Sequence, residues 1–98
     1  MSFDPALAQL HAKIHGSVQG VGFRSFVFFH AGNLALTGWV RNVGYNMVEV
    51  CAEGKRQDLE QLLEMLREGP SSSSVENVEC EWMSYSGVYF SFELHYSI

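Results

Sequence analysis

The sequence is poor in cysteine and in positive charge. Cys51 and Cys80 are the two cysteines among 98 residues, too few and too isolated for a zinc site or a disulfide framework, so we expect two buried or half-buried thiols. Six lysines and arginines face eleven acidic residues, which gives a net charge of -5. Nucleic acids and anionic membranes are attracted by positive potential, so a general surface for either is excluded and any anion site must be local.

Long apolar runs are also missing. No stretch of this chain approaches the roughly 20 apolar residues that span a bilayer. The start, MSFDPALAQL, lacks the basic and apolar parts of a secretion signal, so we expect a cytoplasmic protein without a membrane segment. The length and the 47% hydrophobic content support one core. We predict a loose leader over residues 1–11 and a single domain over residues 12–98.

Hydrophobic periodicity predicts the order β-α-β-β-α-β followed by a fifth strand. The predicted strands span residues 13–18, 37–43, 47–53, 78–85 and 89–96. A first helix over residues 25–35 has an inward stripe of Val27, Ala31 and Leu34, and the second carries leucines 59, 62, 63 and 66. This pattern indicates an α+β, ferredoxin-like split βαβ sandwich, with two helices on one face of an antiparallel sheet.

Such a fold has the strand order 4-1-3-2-5, which makes a prediction about the cysteines. The first strand then separates the strands that carry Cys51 and Cys80, so two strand spacings, about 9.6 Å, lie between them. A disulfide requires Cα atoms within about 7 Å. We therefore expect both thiols to remain unbridged in the monomer.

Three glycines and a lone arginine stand where the first strand gives way to the first helix, in the stretch HGSVQGVGFRSF. Glycines free the backbone to take positive φ and to approach a ligand closely. Amides at a helix start carry partial positive charge, and Arg24 follows Gly20 and Gly22 at this helix edge. The stretch therefore predicts an anion site.

Two motifs make this chain similar to the acylphosphatase family from residue 13 onward. GSVQGVGFR, residues 16–24, fits that family's Gly-x-Val-Gln-Gly-Val-x-Phe-Arg loop at every defined position. GWVRN, residues 38–42, followed by MVEVCAEG, residues 47–54, fits the second conserved segment. Two positions differ from the family's usual glycine: Asn46 in the hairpin turn and Ala35 after the first helix.

The resemblance implies hydrolysis of a carboxylic-phosphoric anhydride to a carboxylate and inorganic phosphate, without a metal or other cofactor. It assigns phosphate binding to Arg24 and orientation of the attacking water to Asn42. Such a substrate needs positioning and charge stabilisation more than a covalent nucleophile. The phosphate-binding loop would comprise Gln19, Gly20, Val21, Gly22, Phe23 and Arg24, whose backbone amides could form a concave nest.

Arg41 and the histidines are not assigned to the site. Arg41 is as plausible as a solvated strand residue and is left out of the site. The four histidines, at positions 11, 15, 30 and 95, show neither metal-ligand spacing nor a partnered carboxylate in the sequence. We expect surface or packing roles for them.

Two alternatives stay open. A binding module that holds acyl or carbamoyl phosphate without turnover would keep the same loop, although the chain's brevity favours a free-standing enzyme. An RNA-binding sheet has the same topology, but the third strand would show Met47, Glu49, Cys51 and Glu53 instead of aromatic pairs. The expected partner is therefore a small acyl phosphate, with no nucleic acid and no membrane.

Local patterns give two further expectations. On the first helix, Phe29 lies opposite the inward stripe and Phe28 beside it, so both rings are predicted to be exposed and to support a weak homodimer of a chain that is otherwise monomeric. In the NVGYNM turn, a two-residue loop would strain Tyr45. We expect a longer turn with Asn46 at positive φ, Gly44 as a second such residue, and Tyr45 at negative φ.

Overall fold

A computed structural model describes residues 6–97 of the chain. Its elements are β1 (Leu7–Ser17), α1 (Phe23–Asn33), β2 (Thr37–Val43), β3 (Met47–Lys55), α2 (Arg56–Glu68), β4 (Ser74–Met83) and β5 (Phe92–Leu94). Helices and strands follow one another in the predicted order, with both helices on one face of the sheet. The predicted fold class is confirmed.

The strand order is β4-β1-β3-β2-β5, as expected. Neighbouring strands are antiparallel except at one edge, where β5 runs parallel to β2 with Val40 opposite Leu94. β4 and β2 run in opposite directions. The chain reverses its direction once between β4 and β5, so β5 runs parallel to β2. The sheet is therefore mixed, which corrects the purely antiparallel expectation.

Apolar side chains from both helices pack on the sheet. Val27 and Ala31 of α1 are fully buried, whereas Leu34 caps the end of the helix and is half-buried. The four leucines of α2 are buried as predicted. They contact a layer of buried residues from the central strands, Ile14, Val48, Val50 and Ala52 among them. In the part of the chain described, neither helix is long and apolar enough to cross a membrane.

β1 begins at Leu7, six residues earlier than expected. The prediction of a loose leader is wrong for residues 7–11, and residues 1–5 lie outside the described part. Gln9 pairs with Glu53 and His11 with Cys51 on β3. These polar residues interrupt the apolar alternation by which a strand is recognised in a sequence. Their stabilising partners lie about forty residues away on another strand, so the sequence does not show them.

The last two strands also differ from the predicted boundaries. β4 starts at Ser74 and β5 has only three residues, whereas strands over 78–85 and 89–96 were expected. Residues 84–91, here called the crossing segment, pass over the face of the sheet that carries no helix. Their polar groups bind side chains of the central strands instead of forming a regular ladder.

The crossing segment is fixed by the carboxylate of Glu53. The amide and hydroxyl of Ser86 donate to it at 2.9 and 2.7 Å, and the amide of Gly87 donates at 2.9 Å. The Gln9 side-chain amide adds a fourth bond of 2.6 Å. Glu53 and Cys51 are buried on β3, and the face that would resemble an RNA-binding sheet is covered there.

Both cysteines are free, which confirms the unbridged prediction. β1 lies between their strands, because His11 pairs with Cys51 and Ala12 with Cys80. Cys51 is buried, but Cys80 is exposed. The expectation of a buried or half-buried thiol is therefore wrong for Cys80, whose strand forms an edge of the sheet.

The expectation for the turn is right for Gly44 and Tyr45 and wrong for Asn46. Gly44 has φ 61°, but Asn46 is not among the described residues with positive φ, and neither is Tyr45. Gly44 takes the left-handed conformation at little steric cost, so Asn46 does not need it. The described non-glycine residue with positive φ is Ala35, at 56°.

Candidate active site

The loop between β1 and α1 presents its backbone to solvent. Gly20 and Gly22 have φ values of 74° and 78°, a conformation that side-chain-bearing residues rarely adopt. Gly22 caps α1 without a side-chain hydrogen bond, and the first turn contains no acidic residue. The first amides of a helix have no acceptor within it, so this loop offers N–H groups and positive potential to an anion.

A small cleft of about 140 Å³ opens beside this loop. Its lining residues come from the loop, the first turn of α1, β2 and β5: Val18, Gly20, Gly22, Phe23, Arg24, Ser25, Asn42 and Leu94. None of them is acidic. The cleft therefore has a local positive character within a chain of net charge -5.

Arg24 lies in the first turn of α1 and is half-buried. Its Nη1 donates a 2.8 Å hydrogen bond to the main-chain oxygen of His95, just after β5. A guanidinium has five N–H donors, so this bond leaves most of them for an anion in the cleft. A cation at a helix start opposes the helix dipole, and an anion between them offsets that repulsion.

Asn42 reaches the same cleft from β2, where it pairs with Val48. The residue is only 9% exposed, yet its side chain makes no hydrogen bond to the part of the chain that the structure describes. An amide donates through nitrogen and accepts through oxygen. Its position is therefore suited to holding one water molecule against an anion bound by the loop.

The side chain of Gln19 has a role that the sequence does not suggest. Its side-chain amide leaves the loop and donates to three main-chain oxygens: Val43 at 3.2 Å, Gly44 at 3.1 Å and Met47 at 2.9 Å. Neither Gln19 nor Val21 is among the lining residues of the cleft. Gln19 thus attaches the loop to the β2–β3 turn, a role that sequence reasoning missed because no local pattern indicates it.

A second bond joins the same two segments. The amide of Gly16, at the end of β1, donates to the oxygen of Asn46 at 3.0 Å. The segment that leads to Arg24 and the hairpin that bears Asn42 are therefore connected by main-chain and side-chain hydrogen bonds. This connection fixes the two candidate site residues relative to each other.

Arg41 lies on the opposite face of the sheet. Its Nε donates to Glu49 at 2.8 Å, and its guanidinium lies 4.8 Å from the centre of the Trp39 ring. Burial raises the pKa of Glu49, but hydrogen bonds from Arg41 and His11 outweigh it and hold that pKa below its usual value. Arg41 is therefore engaged with Glu49 and Trp39 and is not among the lining residues of the cleft.

Three of the four histidines do have carboxylate partners, contrary to the sequence-based expectation. His11 lies 2.6 Å from Glu49, His15 lies 2.6 Å from Glu79, and His95 lies 2.9 Å from Glu93. The first two pairs join different strands, which a linear pattern does not reveal. Among the described residues, no group of three or more His, Cys, Asp or Glu side chains could hold a metal ion.

A larger cleft of about 420 Å³ lies on the face without helices, lined by His11, Lys13, Glu79, Cys80 and Glu81. Its two glutamates disfavour a compact anion. The smaller cleft at the glycine loop combines a cation, free amides and no carboxylate. It is therefore the better candidate for phosphate chemistry.

Comparisons with known proteins identify the family of the chain. The Acylphosphatase family model matches residues 10–94. An acylphosphatase of Syntrophotalea carbinolica is 42% identical over 90% of this chain and 96% of its own length. The structure of an acylphosphatase from Coxiella burnetii superposes with a TM-score of 0.86 at 38% identity, covering 92% of this chain and 94% of that one.

One further structure contains a similar fold within a longer chain. Full-length HypF, in a phosphate- and nucleotide-bound form, matches with a TM-score of 0.85 at 28% identity. The match covers 99% of this chain but 13% of HypF. Because the family model and the relative of similar length both span most of the sequence, the chain belongs to the acylphosphatase family.

Proposed function

We infer that this chain hydrolyses acyl phosphates with Arg24 and the 19–24 loop binding the phosphate and Asn42 orienting the attacking water. In the reaction, water oxygen attacks phosphorus and the bond from phosphorus to the acyl oxygen breaks. The products are a carboxylate and inorganic phosphate, and the protons of the water pass to the phosphate and solvent. Family membership supports the activity, and the cleft supports the residue roles.

Phosphate binding rests on the loop amides and Arg24. The negative charge of the phosphate is spread over oxygens that can each accept several hydrogen bonds, which suits a concave row of amides. Arg24 adds a planar fork that can contact two oxygens at once. Each charge-assisted hydrogen bond of this kind contributes roughly 1.5–3 kcal/mol. The carbonyl of His95 holds the guanidinium in place before a substrate arrives.

Orientation of water rests on Asn42. The lining residues of the cleft include no carboxylate or histidine that could accept a proton from water. An acyl phosphate has a good carboxylate leaving group, so placing a water in line with the breaking bond supplies much of what the reaction needs. The amide of Asn42 can hold that water without deprotonating it.

One observation carries the proposal: Arg24, Asn42 and the left-handed Gly20 and Gly22 line a single cleft of about 140 Å³. The test is release of inorganic phosphate from benzoyl phosphate and acetyl phosphate by the purified chain. We expect turnover above the spontaneous rate, unchanged by a chelator and lost in Arg24→Ala. Absence of turnover by the wild type would refute the proposal.

A second candidate is a module that binds acyl or carbamoyl phosphate without hydrolysing it. The match to 13% of HypF favours this candidate, because it shows the fold as part of a longer protein. Binding of inorganic phosphate by isothermal titration, combined with no hydrolysis of either acyl phosphate, would select it. Hydrolysis that depends on Asn42 would exclude it.

The proposal also includes the cellular location and the partners of the chain. We place the chain in the cytoplasm with a small-molecule substrate and without a nucleic-acid or membrane partner. The free cysteines support a reducing compartment, and the net charge of -5 disfavours polyanionic partners. A filter-binding assay with RNA at low salt, where electrostatic binding is strongest, checks the nucleic-acid part.

A further inference from the structure

One wall of the cleft has no part in binding phosphate or water. Leu94, at the end of β5, lines the cleft together with Arg24 and Asn42. Its side chain is 43% exposed. The other apolar side chains that line the cleft, Val18 and Phe23, are buried in the core. Among the described lining residues, Leu94 therefore provides the apolar surface that a ligand can cover.

The pairing of β5 fixes where this surface lies. Leu94 is opposite Val40 on β2, and Asn42 follows two residues later on the same face. Strand geometry then puts the Cα atoms of Leu94 and Asn42 roughly 8 Å apart. The next residue, His95, accepts the hydrogen bond from Arg24. Leu94 is thus held beside both candidate site residues.

We propose that Leu94 is the acyl-contacting residue of this site and favours acyl phosphates whose acyl group is apolar and bulky. This inference rests on the proposed function. The loop amides and Arg24 contact the phosphate, and Asn42 contacts the water. The acyl group beyond the bridging oxygen therefore extends to the remaining wall of the cleft, which Leu94 forms. A phenyl or branched alkyl group removes the exposed side chain of Leu94 from water, whereas an acetyl methyl group covers little of it.

The contact between the acyl group and Leu94 stabilises the transition state as well as the bound substrate. The attacking water and the leaving carboxylate lie on opposite sides of phosphorus. The acyl group remains attached by a lengthening bond at the transition state, so its contact with Leu94 persists and raises kcat/KM. Deleting the contact should therefore alter the ratio of kcat/KM between two acyl groups and leave phosphate binding unchanged.

The experiment compares benzoyl phosphate with acetyl phosphate. We expect Leu94→Ala to lower kcat/KM for benzoyl phosphate by about five- to tenfold, and for acetyl phosphate by less than about twofold. The inhibition constant of inorganic phosphate should stay within twofold of the wild type. Leu94→Ile should restore most of the benzoyl preference, because it restores apolar volume.

Met83→Ala is the matched control. Met83 is 48% exposed and lies on β4, at the opposite edge of the sheet, so its loss should not alter the substrate ratio. A second variant, Leu94→Gln, keeps the length of the side chain and should also lose the benzoyl preference. Circular dichroism verifies that each variant is folded.

The outcomes separate this inference from the proposed function. If the wild type hydrolyses both substrates and neither Leu94→Ala nor Leu94→Gln alters their ratio, the acyl-contact role is wrong and the hydrolase assignment stands. Equal losses with both substrates would also overturn it. If the wild type hydrolyses neither substrate, the proposed function itself fails.

Discussion

The guanidinium of Arg24 and the main-chain oxygen of His95 are joined by a 2.8 Å hydrogen bond. His95 in turn donates its amide to the oxygen of Val40 at 2.8 Å, and its ring stacks on Trp39 with 5.7 Å between centroids. Both contacts are to β2, the strand that bears Asn42. Arg24 is therefore positioned relative to Asn42 through the end of β5 as well as through the loop.

Substitutions at Arg24 and Asn42 should separate binding from chemistry. We expect Asn42→Ala to lower kcat by about 100-fold or more, the typical cost of losing one positioned hydrogen-bonding group. Its affinity for inorganic phosphate should be unchanged, because only the water is misplaced. Arg24→Ala should weaken phosphate binding and abolish turnover. Steady-state kinetics with phosphate as a competitive inhibitor measures both effects, and normal hydrolysis by Asn42→Ala would disprove the water-orienting role.

The side chain of Gln19 should affect turnover without itself contacting the substrate. Gln19→Glu puts a carboxylate against three carbonyl oxygens, so we expect it to be more harmful than the uncharged Gln19→Leu. Each variant removes hydrogen bonds to main-chain oxygens of half-buried or exposed residues, at a cost of about 1 kcal/mol in unfolding free energy. Urea denaturation and kcat are the measurements. Wild-type stability and kcat in both variants would contradict the hydrogen-bonding role of the amide.

The sequence indicates the residues of the candidate site more directly than it indicates the contacts that position them. The glycine loop, Arg24 and Asn42 were predicted because their motifs are local and the chemistry restricts residue types. The amphipathic stripe of α2 and the hairpin were predicted for the same reason, since their periods are visible within a few residues. Each of these features depends on neighbours in the chain.

The missed features depend on residues far apart. The start of β1 and the crossing segment are fixed by the carboxylate of Glu53, which binds Gln9 and Ser86 from opposite ends of the chain. Tyr89 adds a contact to Cys51, with 3.6 Å between its hydroxyl and Sγ. Polar contacts between such distant residues leave no periodic trace, so a single sequence does not show them.

Glu53 makes the stability of the fold sensitive to acid. Burial raises its pKa, but hydrogen bonds from Ser86, Gln9 and Gly87 outweigh burial and hold the pKa below its usual value near 4.5. A carboxyl whose pKa is lowered by folding stabilises the folded state above its unfolded pKa. That stabilisation is lost as the pH falls through the folded pKa. We therefore expect a loss of stability below about pH 4.5.

Glu53→Gln tests whether Glu53 causes this acid sensitivity. One carboxylate oxygen becomes an NH₂ group that cannot accept, so the unfolding free energy at pH 7 should fall by about 2–3 kcal/mol. The variant should also lose part of its stability change between pH 5 and pH 3 in urea denaturation. Glu64→Gln, on the exposed side of α2, is the control. An unchanged acid response in Glu53→Gln would assign that response to other groups.

Phe29 is the better probe of self-association. Both rings are exposed as predicted, Phe29 at 62% and Phe28 at 45%, but the Phe28 ring lies 6.5 Å from the buried Phe92. We propose that Phe29→Gln reduces weak dimerisation and leaves kcat/KM intact, while Phe28→Gln also lowers stability. Sedimentation velocity over a range of concentrations measures the association. Identical sedimentation of Phe29→Gln and the wild type would show that this face is not the contact.

Ala35 offers a stabilising substitution at the end of α1. Its amide donates to the oxygen of Gly32 at 3.0 Å and the amide of Leu36 donates to Ala31 at 2.9 Å, the paired bonds of a Schellman motif. This motif needs a left-handed residue, and Ala35 takes φ 56°. Ala35→Gly removes the steric penalty of the Cβ atom, so the unfolding free energy should rise by about 1 kcal/mol.

Thermal denaturation is a direct measurement of this effect. For a domain of this size, a gain of 1 kcal/mol corresponds to a rise in Tm of about 4–8 °C. Ala8→Gly is the control, because Ala8 lies within β1, where glycine adds entropy to the unfolded chain without relieving strain. That variant should have a lower Tm than the wild type. A lower Tm in Ala35→Gly as well would show that the positive φ of Ala35 carries no strain, because the entropic cost of glycine would then dominate at both positions.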